Sequence, residues 1–316
     1  MNLNRYKLLA GDASFRKFYR SKKNSIIVFS KKNKYSNLLV YDAINRCFNK
    51  NSIKAPKLKK EFYNENYIVI EDLGNETLFK ILKKKKNKKK VYFEVIKILK
   101  LIQKIRNKSI QTFKKKNYII PQYTKHKLIE ESYLFIKWYL PTVLKKTKVN
   151  QASKEIKSAF VNIYKKLKLK NKVLVHRDFH VSNMMFHKNK IYMIDNQDAV
   201  YGNIAYDLAS LIDDVRFKTS DELKDEIFKM FIKTNNYIDQ NKLKNDFDIL
   251  SVLRNLKIIG IFTRLAMRDR KKKYMKLIPY AWKMIEQRIS KNFLFMDLEL
   301  KLNKYFSKKV RLKKWK

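Results

Sequence analysis

Val173-Leu-Val-His-Arg-Asp-Phe-His-Val-Ser-Asn-Met-Met-Phe186, followed after a polar turn by Ile191-Tyr-Met-Ile-Asp-Asn-Gln-Asp-Ala199, is the stretch that decides how this chain reads. Val173 to Val175, Met184 to Phe186 and Ile191 to Ile194 are short runs of β-forming residues. Between and after them stand two carboxylates and an amide, Asp178, Asn183 and Asp195, at the places where strands end and loops begin. The polar residues His187 to Lys190 read as the turn of a hairpin. That hairpin would carry Asn183, just before its first strand, close to Asp195, just past its second.

Transfer of a γ-phosphoryl group needs hard oxygen ligands for the metal bridging the phosphates, and a carboxylate to orient the attacking hydroxyl and accept its proton. His176-Arg177-Asp178 with Asn183 five residues after the aspartate repeats the catalytic-loop pattern of phosphoryl transferases. In that pattern Asp178 is the base, and Asn183 and Asp195 hold Mg2+. Aspartate and asparagine are also common in solvated loops. A lone His-Arg-Asp would carry little weight; the ordered set, with apolar strands between its members, favours chemistry.

A wider set of residues resembles a known family. His176-Arg177-Asp178-Phe179-His180 with Asn183, then Ile194-Asp195-Asn196-Gln197-Asp198-Ala199, Gly202 and Tyr206-Asp207-Leu208-Ala209-Ser210-Leu211, is similar to the aminoglycoside phosphotransferase superfamily of small-molecule kinases. Gly11-Asp12-Ala13-Ser14-Phe15-Arg16 near the start, and Arg254-Asn255-Leu256-Lys257 with Gly260, Arg264 and Arg268 late in the chain, resemble its amino-sugar anomeric kinase branch. The likeness runs over about residues 8 to 290.

The resemblance implies an α+β, protein-kinase-like two-lobed fold: residues 1–74 as a small antiparallel-sheet N-lobe and 75–316 as a mostly helical C-lobe. It implies ATP and Mg2+ as cofactors, with phosphorylation of the anomeric hydroxyl of N-acetylmuramate or N-acetylglucosamine in cell-wall recycling as the reaction. Gly11, Ser14 and Arg16 would cover the phosphates, a reading that without the likeness would be matched by an ordinary hairpin turn. Glu71 and Leu73, in the Glu71-Asp72-Leu73-Gly74 turn, would form the hinge that meets adenine. His180 could equally touch the phosphoryl group or brace the loop, Asp198 could contact metal or brace its loop, and Asp207 is expected to support the catalytic loop from behind. Two alternatives keep part of this picture: the same chemistry on choline, homoserine or an aminoglycoside, or a nucleotide-binding protein that has lost catalysis.

The chain departs from the kinase scheme at one point. The strand Ile26 to Phe29 has no lysine, and the helix expected from Tyr35 to Asn49 has no glutamate to pair with one. Lys31 and Lys32 lie nearby, and which cation serves is open at this level.

The remaining composition bounds the answer. A chain of 316 residues, 45% hydrophobic, can bury a large core. The single cysteine, Cys47, excludes a disulfide framework and falls on an apolar helical face defined by Leu38, Tyr41, Ile44 and Phe48, so it reads as a packed thiol. The net charge of +47 would ordinarily suggest nucleic acid. Here lysine greatly outnumbers arginine and rises together with asparagine, isoleucine and tyrosine, the pattern of an AT-rich coding sequence, and no nucleic-acid-binding signature is present. The expected partner is a small sugar substrate, with no specific nucleic acid, no membrane insertion, a cytoplasmic location and a monomeric state.

Helical periodicity marks 91–106, 128–139, 156–167 and much of the chain after 240, with Lys83 to Lys90 as a solvated link. Gly260 inside the late apolar repeat points to close helix packing. Arg254, Lys257, Arg264 and Arg268 fit either an acceptor carboxylate or phosphate, or a plain surface cover.

Overall fold

The structure is a computed structural model that describes residues 6–9, 16–21, 24–31, 36–290 and 292–315. Gly11 and Ser14 lie outside the described residues, as does Lys32. The chain forms two compact units: residues 1–121 with 173–201, and residues 122–172 with 202–316.

The first unit is built on a five-stranded antiparallel sheet in the order β1-β2-β3-β5-β4. Its strands are β1 (Lys7–Leu9), β2 (Lys17–Ser21), β3 (Ser25–Phe29), β4 (Leu58–Phe62) and β5 (Tyr67–Glu71). β2 and β3 form a hairpin, with Lys17 opposite Phe29 and Ser21 opposite Ser25. β3 is buried on both faces because it is central. Ile26 and Val28 pack with Ile68 and Ile70 against Leu38 and Tyr41 of helix α1 (Asn37–Lys50), while Ile27 faces Tyr19 and Tyr67. β4, with the sequence Leu-Lys-Lys-Glu-Phe, carries no apolar run to announce it; it is an edge strand, where charge is tolerated and protects against further pairing.

Helices α2 (Leu78–Lys84) and α3 (Lys89–Lys104) follow, joined by the lysine-rich link, and then the short hairpin β6 (Ser109–Gln111) and β7 (Asn117–Ile119). The unit is completed by β8 (Val173–Val175), β9 (Met184–His187), β10 (Lys190–Met193) and β11 (Val200–Gly202), in which β9 pairs with β10 and β8 with β11. Cys47 is buried in α1, and burial pushes its thiol pKa up, as expected of a packed thiol.

The second unit is helical: α4 (Lys125–Leu134), a π-helical turn (Phe135–Tyr139), α5 (Leu140–Val143), α6 (Lys146–Lys165), α7 (Ala205–Ile212), α8 (Asp221–Thr234), α9 (Gln240–Met267), α10 (Ile278–Ile289), α11 (Met296–Tyr305) and α12 (Lys308–Arg311). Nineteen of the 28 residues of α9 are buried, so this helix is the axis of the unit; α4, the π turn, α7 and α10 all pack on it. Asp246 on α9 accepts hydrogen bonds from the backbone N–H groups of Lys168 and Leu169, each at 2.8 Å, and from Asn203 Nδ2 at 2.6 Å. One carboxylate therefore fastens both the segment that leads into β8 and the segment that follows β11. Among the described residues no helix is long and apolar enough to cross a membrane.

Two features of this unit can be tested through stability. A Cβ built on Gly260 would lie 2.2 Å from the carbonyl carbon of Leu134 and 2.4 Å from the backbone nitrogen of Phe135. Backbone cannot yield as a side-chain tip does, so Gly260→Ala should destabilise by about 1–3 kcal/mol or more and lower the melting temperature by several degrees, read by calorimetry.

Asp213 is fully buried; desolvation pushes its pKa up, but Arg288 at 2.9 Å, Lys224 at 3.3 Å and the Ser251 hydroxyl outweigh that and hold it below the usual value. A depressed folded-state pKa means that its stabilisation is present above the unfolded value and lost as pH falls through the folded one. Asp213→Asn should cost on the order of 3–5 kcal/mol at neutral pH and flatten the loss of stability in acid, measured by denaturant melts at pH 3 and pH 7.

Candidate active site

All the described members of the expected site belong to the first unit. The β9–β10 hairpin does what its sequence required. Met184 stands opposite Met193 and His187 opposite Lys190, and at the open end Ile194 N–H donates to Asn183 O at 3.0 Å. Asn183 and Asp195 are thereby held one residue apart across the ladder. Asn183 Nδ2 donates to the Asp178 carbonyl at 3.0 Å, joining the loop after β8 to the same corner.

Asp195 takes a left-handed backbone conformation, φ 63° and ψ 38°, and Arg177 has φ 75°. For residues with a Cβ such conformations cost on the order of 1 kcal/mol each and persist only where the surroundings impose them. Here a side-chain network does so. His176 is fully buried; its Nδ1 accepts from the Asp178 backbone N–H at 3.3 Å, which leaves Nε2 as the donor to Asn196 Oδ1 at 2.8 Å and to Ile194 O at 3.1 Å. Asn196 Nδ2 donates in turn to Met193 O at 3.1 Å and to Asn45 Oδ1 of α1 at 2.7 Å. His176, Asn196 and Asn45 were not singled out from sequence. The signal was there for His176 and Asn196, as neighbours of the two aspartates, but Asn45 joins them only through the fold.

The missing strand lysine has a structural counterpart. β3 has no lysine and α1 no glutamate, as read. Arg16, 4% exposed, enters just before β2 and divides its guanidinium between helix α1 and the end of the β9–β10 hairpin. Nη1 donates to Asn37 Oδ1 of α1 at 3.0 Å and Nη2 to Asp195 Oδ1 at 2.9 Å. The same group lies over the ring of Tyr41, 5.2 Å from its centroid. Burial, partly offset by Arg16, pushes the Tyr41 pKa up to about 12, so this tyrosine is a neutral surface for the guanidinium.

Glu71 and Leu73 flank the turn after β5. Glu71 N–H donates to Lys57 O at 2.9 Å, and Gly74 adopts φ +79°, which only a residue without a Cβ takes readily. Arg20 clamps this turn through Asp72 and through Gly74 O at 2.9 Å. Leu73 packs with Met185, Tyr192 and Ile194, so the turn forms an apolar contact with the hairpin that carries Asn183 and Asp195. Asp198, exposed, accepts from Gln197 Nε2 at 2.9 Å, and its carbonyl accepts from Arg177. His180 is buried, 3.4 Å from Asn183 Nδ2, in the interior of the loop. Asp207 is fully buried in the first turn of α7.

The donor set suits a nucleotide-bound magnesium ion. Among the described residues no hydrogen bond reaches Asp195 Oδ2 or Asn183 Oδ1, while Asp195 Oδ1 accepts from Arg16 and from Gln197 Nε2 at 3.1 Å. Two hard oxygens with free lone pairs match a cation that takes one or two protein ligands and completes its shell with phosphates and water. Consistent with that, no cluster of three or more His, Cys, Asp and Glu side chains among the described residues could hold a metal alone.

Residues 5–237 match the phosphotransferase enzyme family. The chain is similar to the N-acetylmuramate/N-acetylglucosamine kinase of Neisseria meningitidis serogroup B, 26% identical over 284 residues that span 85% of this chain and 81% of that protein. It is 24% identical to the protein of the same description from Pseudomonas putida, over 89% of this chain and 83% of the other. Among solved structures it is similar in fold to ADP-bound aminoglycoside phosphotransferase APH(2'')-Ib, with a TM-score of 0.60 at 17% identity, covering 90% of this chain and 95% of that one. It is also similar to choline kinase LicA from Streptococcus pneumoniae, with a TM-score of 0.59 at 12% identity, covering 89% and 90%. With a sheet-based unit that carries the expected catalytic loops, a second unit made of helices, and the match running over most of its length, this chain belongs to the phosphotransferase enzyme family and is a kinase.

Proposed function

We propose that this kinase transfers the γ-phosphoryl group of ATP to the anomeric hydroxyl of an amino sugar, N-acetylmuramate or N-acetylglucosamine, in the cytoplasm as a step of peptidoglycan recycling. The observation that carries the chemistry is the convergence of Asp178, Asn183 and Asp195 at the open end of one hairpin. The acceptor is supported by the shared description of the relatives matched over more than four-fifths of the chain.

In this reading the Asp178 carboxylate orients the sugar hydroxyl and takes its proton as the new O–P bond forms and ADP leaves. Asn183 and Asp195 would hold magnesium, which when bound neutralises charge on the phosphates. Arg16 holds Asp195 on one side and supplies positive charge for the phosphates, with Gly11 and Ser14 covering them. The turn from Glu71 to Leu73 would receive adenine through its backbone and the Leu73 side chain. Most of the rate gain would come from positioning and from charge stabilisation in a preorganised site.

The reading is tested by ADP release over a panel of N-acetylmuramate, N-acetylglucosamine, choline, homoserine and an aminoglycoside, with phosphorus NMR on the product. Turnover confined to the amino sugars, giving a sugar 1-phosphate, is the expected result; activity only on another alcohol overturns the acceptor. Asp178→Ala should lower turnover by about a hundredfold or more with ATP binding retained, since it removes a proton acceptor and leaves the nucleotide contacts. Asp195→Ala should instead abolish the magnesium-dependent part of nucleotide binding, compared by calorimetry with and without the metal.

A further inference from the structure

Helix α1 presents a polar stripe beside its apolar row of Leu38, Ile44 and Phe48. Asn37, Tyr41, Asn45 and Asn49 recur at intervals of four, along one face, and each makes a contact outside the helix. Asn37 Oδ1 accepts from Arg16 Nη1 at 3.0 Å, and the Tyr41 ring lies under the same guanidinium. Asn45 Oδ1 accepts from Asn196 Nδ2 at 2.7 Å, and Asn49 Nδ2 donates to Ala55 O at 3.0 Å. Asn45 is 1% exposed, and its amide is fixed in one orientation. Its Nδ2 donates to Pro56 O at 3.3 Å, a carbonyl that can only accept, which turns Oδ1 toward Asn196.

Two of these contacts close on adjacent residues of the catalytic corner. From Asn37 the path runs through Arg16 to Asp195 Oδ1; from Asn45 it runs straight to Asn196. The first path holds the Asp195 side chain and the second its backbone, through the next residue in the chain. Asp195 needs both. Its left-handed φ of 63° is not one that a residue with a Cβ keeps by its own preference, and its carboxylate can rotate about χ1 unless one oxygen is pinned. With Oδ1 pinned by Arg16 and Gln197, Oδ2 is the oxygen turned to a cation. The one acidic residue of α1, Asp42, is engaged by Arg46 of the same helix at 2.7 Å, so no carboxylate of α1 competes for Arg16.

We propose that Asn37 and Asn45 are positioning residues of the kinase reaction, a pair of neutral amides on α1 that grip Asp195 from two sides and set where its second oxygen faces the metal. This rests on the reading of Asp195 as a magnesium ligand given above. A ligand preorganised in this way does not have to be ordered when the cation and nucleotide arrive, so loss of either grip weakens the metal-dependent part of binding and leaves the nucleotide's own contacts alone.

The test is calorimetric titration of the full chain by ADP with and without magnesium, which reads the metal-dependent gain in affinity apart from nucleotide binding itself. Asn45→Ala should cut that gain by about tenfold, the effect of one buried hydrogen bond, with metal-free ADP affinity unchanged. Asn45→Asp keeps an oxygen toward Asn196 and should recover most of the gain. Asn37→Ala, at the half-buried start of the helix, should cut the gain by a similar factor. The double variant should lose less than the product of the two, because both act through Asp195. A merely structural role would lower the melting temperature and leave the gain intact. Should Asn45→Ala fail to fold, Asn37→Ala decides. Full gain in both single variants, with the gain lost in Asp195→Ala, overturns the inference and leaves the metal reading standing; no gain in the natural protein overturns the metal reading and the inference with it.

Discussion

The hydrogen bond from His176 Nε2 to Asn196 Oδ1 is the contact on which the active corner depends. Asp178 and Asp195 stand on different loops, after β8 and after β10, and neither loop is regular enough to place a carboxylate by its own backbone pattern. His176 takes the Asp178 N–H on one ring nitrogen and gives the other to Asn196, so a single buried imidazole sets the distance between the loops. Asn196 passes the constraint to Asn45, and thereby to α1. Buried polar groups tolerate no partial satisfaction in low dielectric, so such a chain is either complete or strongly destabilising. That rigidity is what permits Arg177 and Asp195 their left-handed conformations.

Arg16 answers a different requirement. The usual kinase scheme pairs a strand lysine with a helix glutamate, and in this chain β3 and α1 carry neither. A guanidinium can serve from a less direct position because its fork addresses two acceptors at once and its flat face stacks on an aromatic ring. Arg16 does all three, on Asn37, Asp195 and Tyr41. A lysine at that position would bond Asn37 or Asp195 but could not span both, and it would leave the Tyr41 face without its stacked plane.

The helical unit holds its own constraints through buried charge. Asp246 ties down the chain just before β8 and just after β11, and Asp213 gathers Arg288, Lys224 and Ser251. In each case the carboxylate is saturated by donors, which is the condition under which burying a charge is tolerable. Arg254, buried on α9 with its Nη1 without a hydrogen-bond partner among the described residues, is less completely satisfied.

Much of the catalytic corner was legible in the residue order alone. A hairpin with period-two strands has its ends adjacent by necessity, so Asn183 and Asp195 were bound to meet, and the lysine-free β3 and glutamate-free α1 were visible as departures. Central strands and amphipathic helices announce themselves because burial selects apolar residues at their own period. The charged edge strand β4, the π-helical turn and the hairpin β6–β7 did not, since each depends on neighbours more than on local pattern. Residue order by itself determined the class of fold and which polar residues stand at the ends of the hairpin strands. Only the tertiary structure decided which arginine reaches Asp195, which asparagine accepts from His176, and which of the late basic residues is buried. Those are contacts between residues far apart in the chain, and nothing in local sequence encodes a distance through space.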